Sequence, residues 1–586
     1  MVTIELQNSK LVISTGYSPA LIEKVRQING RRYDGKRKVW EVPVSQVDAV
    51  LNAFPSAFVD DSVGEYRKNR RLREEIRAWK DAPQPAGVIR DFKDFQRVGV
   101  AWLRTLDAAL LKDDPGLGKS CQSIAWAMTS LPCLIICNAT SKWDYAGEIE
   151  ATIGDKSIAV LDGRSGPFAP PGTNWVILNW DIIGHPKRRE TIQDGREMAG
   201  RLGDIVEYGF KSVIFSEAHK AQAGAKSLRG QGALEIAGAI PRRLCETATP
   251  NPHRTEQLAA IFQLLGKLHK DQVFAWKKRY CDGQQIEVGH FHKKTVWDFS
   301  GKSNLDELSR IMADFTLGRK RADVGQQIPI GEFPKIVDIT NRKEYAEKER
   351  EVMDLTDQIA RIRRQRPTEE AEKEIYELRG KALGMREALV STAAMGKIDA
   401  AMELVEPYAL TGEKVIVFAE HLAPLRAMHE KLGAQSILLT GEISSAKARH
   451  EAVAKFQQDP DCLVALCSRK AFGESVTMTA AATVVFLSLP STPTEYIQAR
   501  DRINRITQKA DRLQVFWLIG RKTHDAAVLN LNWPKAGMLS QIYHDPEMRE
   551  YAERFRELYN LLEGKGGSTR TIPAATAGEQ GTLWAQ

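Results

Sequence analysis

The chain has 586 residues, of which 43% are hydrophobic and 27% charged, so it is too long for one hydrophobic core and two to four domains are predicted. Its net charge of +8 permits a polyanionic partner. No apolar stretch reaches the roughly 20 residues of a membrane span, and the seven scattered cysteines do not form the two close pairs of a zinc site. We therefore expect a cytoplasmic protein without a membrane partner, and nothing in the sequence indicates that it is more than a monomer.

Residues 1–60 are predicted to form a small α+β domain. The segments "LVIST" and "KVWEVPV" have the pattern of strands, and they flank a helix expected from about Pro19 to Ile28. Positive charge is concentrated in residues 26–40 and again in residues 65–80. Such runs indicate either a solvated face or contact with a polyanion. Residues 61–85 are predicted to form a basic helical linker.

The rest of the chain alternates short apolar runs with longer amphipathic segments, which predicts an α/β fold with parallel sheets covered on both faces. Two lobes of this kind are expected, at residues 86–330 and 396–545. The strands of the first lobe are predicted at 133–137, 175–180 and 212–215, and those of the second lobe at 414–419, 436–440, 462–468, 483–489 and 513–519.

Helical material is predicted within the first lobe, between the lobes and after them. Residues 251–330 are expected to be a mostly helical insertion in which "CDGQQIEVGH" is a loop. Residues 331–395 are expected to form a helical bridge or protrusion, with Pro367 dividing its charged stretch into two helices. The final segment, 546–586, is predicted to be a helix followed by a disordered tail.

The segment "DDPGLGKS" (113–120) is the strongest chemical signal. Its glycines allow backbone N–H groups to face phosphate oxygens at the start of a helix, Lys119 can reach the β- and γ-phosphates, and the Ser120 hydroxyl can bind magnesium. A predicted helix follows the loop, as such a loop requires. This pattern predicts nucleotide binding.

Further motifs precede and follow this loop along the chain. The segment "DFKDFQRVGVAWL" (91–103) precedes it, "SVIFSEAHKAQ" (212–222) ends a predicted strand in charged residues, and "CETATP" (245–250) follows another strand. In the second lobe, "QARDRINRITQ" (498–508) is expected to place Arg502 and Arg505 on one helical face, an arrangement that can stabilise γ-phosphate charge.

Together these segments resemble the Swi/Snf branch of the superfamily 2 helicases. They match the Q motif, phosphate loop, DEAH-like box, Thr-Ala-Thr motif and paired-arginine motif VI of that superfamily in its order, and "FTLGRKRADV" (315–324) adds to the likeness. The match covers residues 86 to 530. The N-terminal "INGRRYDGKRKVWEVPV" is similar to the HARP domain of HepA-related annealing helicases.

The resemblance implies an enzyme, a DNA-dependent ATPase that uses ATP and Mg²⁺ and contacts DNA mainly through its phosphates. It implies two RecA-like lobes that hold ATP between them, and a bacterial or phage-infected cell as the setting. The implied site residues fall into four sets. Catalysis is assigned to Lys119, Glu217, Arg502 and Arg505; nucleotide binding to Phe92, Gln96, Gly116, Leu117, Gly118, Lys119, Ser120 and Gly473; magnesium to Ser120, Ser216 and Glu217; and DNA binding to Arg31, Arg32, Lys36, Arg37, Lys38, Trp143, Thr440 and Ser468.

The chain departs from the family pattern at several of its motifs. Ser216 stands where the box has an aspartate that anchors magnesium through its water shell. A serine hydroxyl can still hydrogen-bond such a water but brings no negative charge. The other departures are Phe472 and Ser475 in motif V, Asn504 and Thr507 in motif VI, and Glu246, where an apolar residue usually precedes motif III.

These departures leave three functions open. The leading expectation is a translocase that anneals or reverses branched or duplex DNA, with hydrolysis slowed by Ser216. An ATP-gated DNA-binding scaffold that has lost hydrolysis is the second, and a strand-separating helicase is the third.

Overall fold

The computed structural model describes residues 2–7, 10–28, 31–164, 166–186, 198–248, 250, 254–288, 294–325, 328–365, 369–441, 446–468, 478–505, 508–543 and 545–563. Gly473, Phe472, Ser475 and Thr507, which the sequence places in motifs V and VI, lie outside the described residues, as does the predicted disordered tail beyond residue 563.

The N-terminal unit is a five-stranded sheet with two helices, of which the sequence predicted two strands and one helix. The strand order is β3-β4-β2-β1-β5, with only the β1–β5 pair parallel. A long helix, α3, leaves this unit toward the next domain. The elements are β1 (Thr3–Gln7), β2 (Lys10–Ser14), α1 (Pro19–Arg26), β3 (Arg32–Asp34), β4 (Val39–Pro43), α2 (Val47–Ala53), β5 (Phe58–Val59) and α3 (Asp61–Arg77).

The basic run on α3 fastens the N-terminal unit to the first lobe instead of forming a solvated face. Arg77 donates hydrogen bonds to the carbonyls of Ala313 and Thr316 at 2.5 and 2.8 Å, and Arg70 lies 3.6 Å from Asp314. Arg73 is buried, with 5% of its surface exposed. These arginines therefore serve packing between the two units.

The first lobe is built on a seven-stranded parallel sheet in the order β16-β6-β13-β12-β7-β9-β8. Strands such as β7 and β9 are buried along their whole length, which is why they read as continuous apolar runs. The elements are α4 (Asp94–Leu103), β6 (Ala108–Leu111), α5 (Lys119–Ala127), β7 (Cys133–Cys137), α6 (Lys142–Ile153), β8 (Ile158–Val160), β9 (Trp175–Asn179), β10 (His185–Pro186), β11 (Met198–Ala199), α7 (Leu202–Tyr208), β12 (Ser212–Ser216), α8 (Leu228–Ala239), β13 (Arg242–Glu246), α9 (Leu258–Leu264), α10 (Val273–Tyr280), β14 (Gln284–Val288), β15 (Lys294–Asp298), α11 (Leu305–Ala313) and β16 (Thr316–Leu317).

The insertion at 251–330 is not as helical as its sequence indicates. The segment interpreted as a loop, "CDGQQIEVGH", contains β14, which pairs with β15 in an antiparallel hairpin. Three aromatic rings stabilise it: Phe274 of α10 packs edge-on against Trp297 and Phe299, with centroids 5.1 and 5.7 Å apart. That contact is long-range, which is why the local pattern missed the hairpin.

The second lobe is a six-stranded parallel sheet in the order β17-β22-β21-β18-β20-β19. Its edge strand β17 falls within the segment expected to be a helical bridge; it pairs with β22 over eight residues. Two helices follow on either side of Pro367, as predicted. The elements are β17 (Ile330–Val337), α12 (Arg342–Gln365), α13 (Glu369–Met395), α14 (Ile398–Leu410), β18 (Lys414–Ala419), α15 (Leu422–Leu432), β19 (Ser436–Leu439), α16 (Ala446–Gln458), β20 (Val464–Ser468), β21 (Ala481–Phe486), α17 (Pro493–Arg500), β22 (Leu513–Gly520), α18 (Asp525–Tyr543) and α19 (Pro546–Leu562).

The last two helices, α18 and α19, pack against both lobes. Phe555 is fully buried and its ring meets Trp517 of the second sheet at 5.0 Å. On the other side, Lys112 of the first lobe lies 4.1 Å from the ring centre of Tyr543. The helical pair thus joins the two lobes into one packed body. Within the described residues, no helix is both long and apolar enough to cross a bilayer.

Candidate nucleotide site and nucleic-acid surfaces

The motifs of the first lobe meet because they follow neighbouring parallel strands. The phosphate loop follows β6, Glu217 follows β12, and Thr247 follows β13, which lies between the other two strands. In open parallel sheets, ligands bind beyond the carboxyl ends of the strands. Three segments far apart in sequence therefore converge on one edge of the sheet.

The phosphate loop has the backbone shape that its glycines predict. Gly116 and Gly118 adopt φ angles of +84° and +75°, which side chains other than glycine rarely tolerate. Lys119, the first residue of α5, folds back over the loop and donates to the carbonyl of Asp113 at 2.8 Å. Burial lowers the pKa of the Lys119 ammonium, although Glu217 and Asp113 oppose that effect.

Gln96 lies directly against this loop. It is buried on α4, its side-chain amide donates to the Leu117 carbonyl at 3.1 Å, and a Cβ at Gly118 would overlap that amide. Phe92 is 1% exposed and packs in a small apolar cluster with Val88 and Val100. The ring of Phe92 therefore supports α4, and its assignment to nucleotide binding stays a prediction, as does that of Gln96.

Glu217 forms a triangle with His219 and Thr247. Its carboxylate lies 3.3 Å from Nδ1 of His219 and accepts from Oγ1 of Thr247 at 3.4 Å, while His219 Nδ1 is 3.0 Å from the same hydroxyl. Burial raises the pKa of Glu217, but His219, Lys119 and Lys220 outweigh it and bring the pKa to about 2. Glu217 also has a φ of +52°, a left-handed conformation that turns the chain sharply after β12.

Ser216 has an acidic neighbour on the adjacent strand. Ser216 and Glu246 are register partners across β12 and β13, and Glu246 is 2% exposed. The Tyr145 hydroxyl donates to Oε1 of Glu246, and the hydroxyls of Ser120 and Ser216 lie within hydrogen-bonding reach of the same phenol. Burial raises the pKa of Glu246 to about 7, against the opposing effects of Tyr145 and Lys119.

The paired arginines are placed differently from the sequence prediction. Helix α17 ends at Arg500, so Arg502 and Arg505 do not share a helical face; the prediction of a continuous helix there was wrong. The helix ends immediately before Asp501, which takes part in the buried ion pairs described next. Arg505 lies against the phosphate loop: a Cβ at Gly116 would be 3.0 Å from its Cδ. Arg502 is buried, and its charge acts on Cys467 at the end of β20.

Two further arginines lie beside the phosphate loop, and one of them, Arg321, joins the two lobes. Arg319 donates to Asp113, which is fully buried, through its backbone N and its Nε, both at 3.0 Å. Arg321 donates from its backbone N to Asp114 at 3.1 Å and from Nη1 to Asp501 of the second lobe at 3.1 Å. Both belong to "FTLGRKRADV", which sequence reasoning used for family likeness without giving these side chains a role.

The predicted DNA-binding residues fall into three places. Trp143 is 64% exposed at the start of α6. Thr440 and Ser468 are buried and follow or end the neighbouring parallel strands β19 and β20. The third place is the basic segment of the N-terminal sheet, around β3 and the turn that follows it.

A groove of about 1520 Å³ runs between that basic segment and the first lobe. Arg32, Lys36 and Arg37 line one wall. The facing wall comes from α8, β13, α9 and the loop after α9, and its basic residues are Arg243, Lys267 and Lys270. Arg31 and Lys38 lie beside the groove without lining it. Basic residues therefore line the groove on both sides.

Comparison with known proteins agrees with this architecture. Residues 396–507 match the family model described as "Helicase conserved C-terminal domain". The chain is 24% identical over 565 residues to the SWI/SNF-related matrix-associated actin-dependent regulator of chromatin subfamily A-like protein 1 of Xenopus tropicalis, covering 92% of this chain and 55% of that protein. The chain is therefore similar to Swi/Snf-type and helicase-related proteins.

The likeness to annealing helicases extends to a second protein. The human DNA annealing helicase and endonuclease ZRANB3 is 27% identical over 462 residues, covering 76% of this chain and 39% of the human protein. A Sulfolobus solfataricus SWI2/SNF2 ATPase core in complex with dsDNA matches with a TM-score of 0.36 at 18% identity, over 82% of this chain and 98% of that one. The chain spans about half the length, or less, of the two relatives named here.

Proposed function

We propose that this Swi/Snf-type chain is a DNA-dependent ATPase that translocates on DNA and anneals or reverses branched or duplex DNA. The convergence of Lys119, Glu217 and Arg505 on one loop is the observation that carries the proposal. The first two come from the first lobe and Arg505 comes from the second. Charge from both sides of a phosphate is what phosphoryl transfer requires, because its transition state spreads negative charge over the transferred group.

Each residue has a definite task in this proposal. Lys119 and the N–H groups of the Gly-rich loop hold the phosphates, and Arg505 brings positive charge from the second lobe. Glu217 is ionised at neutral pH, so it can accept a hydrogen bond from the attacking water and orient it. Thr247 and His219 hold the Glu217 carboxylate in place. Arg502 is proposed to join this set when the lobes clasp ATP.

Magnesium fits the donor groups that surround the phosphate loop. Ser120 and Ser216 supply hydroxyl oxygens and Glu217 supplies carboxylate oxygens, which are the hard ligands that Mg²⁺ prefers. When bound, the ion neutralises charge on the phosphates. The residues assigned here to magnesium are the three predicted from the sequence.

DNA contacts are proposed to follow the three surfaces described above. The groove offers positive charge from Arg32, Lys36 and Arg37, which can hold the phosphates of a nucleic-acid backbone. The exposed ring of Trp143 offers a face on which a base can stack. Thr440 and Ser468 are proposed contacts from the second lobe. A monomer acting in the cytoplasm remains the expectation, and a bacterial or phage origin gains no support from the relatives named above, which come from a frog and a human.

ATP hydrolysis with and without branched DNA tests the proposal. We expect DNA to stimulate magnesium-dependent hydrolysis by the native chain. Lys119→Ala should reduce the rate by at least about 100-fold, as removal of one charge-stabilising group does in other enzymes. Lys156→Ala, an exposed lysine on the same lobe, is the control and should leave the rate unchanged. A rate that does not respond to DNA would refute the proposal.

Ser216 favours one competing function, an ATP-gated DNA-binding scaffold. Comparison of the native chain with Ser216→Asp separates the two functions. If the native chain binds ATP without hydrolysing it while the Ser216→Asp variant hydrolyses ATP, the scaffold is the correct function. If both hydrolyse ATP with DNA stimulation, the translocase is correct.

A further inference from the structure

The carboxylate missing at position 216 has a counterpart on the next strand. β13 lies between β6, which leads into the phosphate loop, and β12, which carries Ser216. Ser216 and Glu246 are register partners in this parallel pair, so their side chains project to the same face of the sheet from strands about 4.8 Å apart. The carboxylate of Glu246 therefore lies one strand away from the position that an aspartate at residue 216 would occupy.

Three contacts place the Glu246 carboxylate beside the loop that holds phosphate. Tyr145 donates its hydroxyl to Oε1 of Glu246, and that phenol also lies within hydrogen-bonding reach of the Ser120 and Ser216 hydroxyls. Ser120 is the loop residue that would bind magnesium. Glu246 interacts electrostatically with Lys119 as well. The carboxylate and the two hydroxyls therefore surround one point.

Burial makes an accidental acid at this position costly. Glu246 is 2% exposed, and a carboxylate removed from water without adequate partners destabilises a fold. An apolar side chain would pack there without that cost, and apolar residues are what the sequence pattern of this motif leads one to expect. A buried acid at a position that is usually apolar, beside a serine at a position that is usually acidic, points to a shared task.

We propose that Glu246 takes over the role of the absent box aspartate and anchors magnesium, directly or through its water shell, in the nucleotide site. The inference rests on the proposed ATPase function and deepens it. A glutamate on β13 has one more methylene than an aspartate on β12, and this length offsets part of the lateral displacement. Ser216 then supplies a hydroxyl oxygen beside this carboxylate, but no charge.

Metal affinity is the direct test. Mn²⁺ stands in for magnesium, and its free concentration is read by electron paramagnetic resonance in the presence of a non-hydrolysable ATP analogue and without DNA. Four chains are compared: native, Glu246→Gln, Ser216→Asp, and the double variant S216D/E246Q. Glu246→Gln is nearly isosteric and keeps an acceptor for the Tyr145 hydroxyl.

We expect Glu246→Gln to weaken Mn²⁺ binding by at least about tenfold, since it removes a full charge from a hard-ligand set, and S216D/E246Q to restore it. A merely structural glutamate would leave Mn²⁺ affinity unchanged in Glu246→Gln, and that result would overturn the inference. So would a double variant that binds Mn²⁺ no better than Glu246→Gln alone.

Two controls separate the possible failures. Tyr145→Phe removes the hydrogen bond to Glu246 but keeps the carboxylate, so Mn²⁺ affinity should persist; a loss equal to that of Glu246→Gln would assign the effect to packing and overturn the inference. If Glu246→Gln does not fold, S216D/E246T provides the same test, and weak Mn²⁺ binding by that folded variant would count against the inference. A native chain that binds no fluorescent ATP analogue, with or without Mn²⁺, would refute the ATPase function itself.

Discussion

His219 lowers the pKa of Glu217, the residue proposed to orient the attacking water. Burial pushes the pKa of Glu217 upward, and the hydrogen bond and charge of His219 are the largest effects that push it down, to about 2. Because this pKa is below the ordinary value of about 4.3, the ionised form is favoured above that value and is lost only as the pH falls through about 2. Native Glu217 is therefore ionised throughout the range from pH 5 to 9.

We predict that His219→Ala makes hydrolysis sensitive to acid. Without His219, burial dominates and the pKa of Glu217 rises, so the ratio of variant to native ATPase rate should fall as the pH is lowered from 8 to 5. Below the new pKa the ratio should drop by up to about tenfold per pH unit. Using the ratio cancels titrations common to both chains, among them that of Glu246.

The control for this experiment is His269→Ala. His269 also lies near a carboxylate, 3.1 Å from Asp271, but its side chain is 64% exposed and lies outside the nucleotide site. The ratio of the His269→Ala ATPase rate to the native rate should stay constant from pH 8 to 5. A flat ratio for His219→Ala as well would show that His219 does not set the ionisation of Glu217.

At the scale of single residues, the sequence allows predictions where a short local pattern is sufficient. It does not predict contacts between residues that are distant in sequence. Gly116, Gly118 and Lys119 are readable because the loop's conformation depends only on its own residues. Arg319 and Glu246 were not assigned roles, because their partners Asp113 and Ser216 lie far away in sequence. Only the pairing of distant strands brings such residues together.

Among the elements, the junction between α17 and the phosphate loop shows how the lobes are held together. Asp501 is 1% exposed, and it accepts hydrogen bonds from Arg321 of the first lobe at 3.1 Å and from Nε of Arg500 at 3.0 Å. Both arginines are themselves buried. One carboxylate therefore pairs with two buried cations at the boundary between the lobes, and Glu547 adds a second negative charge beside Arg500.

We predict that Asp501→Asn destabilises the protein strongly. The asparagine keeps the shape of the side chain but leaves Arg321 and Arg500 facing each other with less compensation. Removing one partner of a buried ion pair costs about 3–5 kcal/mol of unfolding free energy. The measurement is the midpoint of urea unfolding followed by circular dichroism, and the ATPase rate should fall with it because Arg321 also contacts the loop carbonyl of Pro115.

An exposed ion pair of the second lobe provides the matched control. Asp338 lies 3.2 Å from Arg521, and their side chains are 84% and 56% exposed. Asp338→Asn should change stability by no more than about 1 kcal/mol, as surface pairs generally do. Equal midpoints for the two variants would contradict the view that Asp501 holds the lobes together.

The same elements show what the sequence could and could not specify. Strands β7, β9, β12 and β18 to β22 were predicted within a few residues because burial on both faces leaves continuous apolar runs, whereas β17 was expected to be part of a helical bridge. The end of α17 at Arg500 was not predicted, since the sequence through residue 505 is compatible with a helix; in the structure the helix ends where Asp501 pairs with Arg321 of the first lobe. The β14–β15 hairpin was missed for the same reason: its stabilising contact is with Phe274 on another element.

At the scale of the whole molecule, the N-terminal unit and the first lobe act together to form a basic surface. The N-terminal sheet supplies Arg32, Lys36 and Arg37, and the lobe supplies Arg243 and Lys267 on the opposite wall. Helix α3 fixes the distance between the walls through its contacts with Asp314. Neither unit alone presents both walls, so the groove depends on their docking.

We predict that this groove binds DNA phosphates. The triple variant R32A/K36A/R37A should bind duplex or branched DNA more weakly and with a smaller salt dependence. For every phosphate that the variant no longer neutralises, the slope of log affinity against log salt should become shallower by about 0.9. Fluorescence anisotropy of labelled DNA at several salt concentrations measures both quantities.

The variant K24A/K156A/K211A, which removes three exposed lysines away from the groove, also lowers the net charge by three and serves as the control. If both variants show equal reductions in affinity and slope, only net charge attracts DNA and the groove has no specific part. A reduction confined to R32A/K36A/R37A would locate the DNA backbone between the N-terminal sheet and the first lobe, and it should be accompanied by weaker DNA stimulation of ATP hydrolysis.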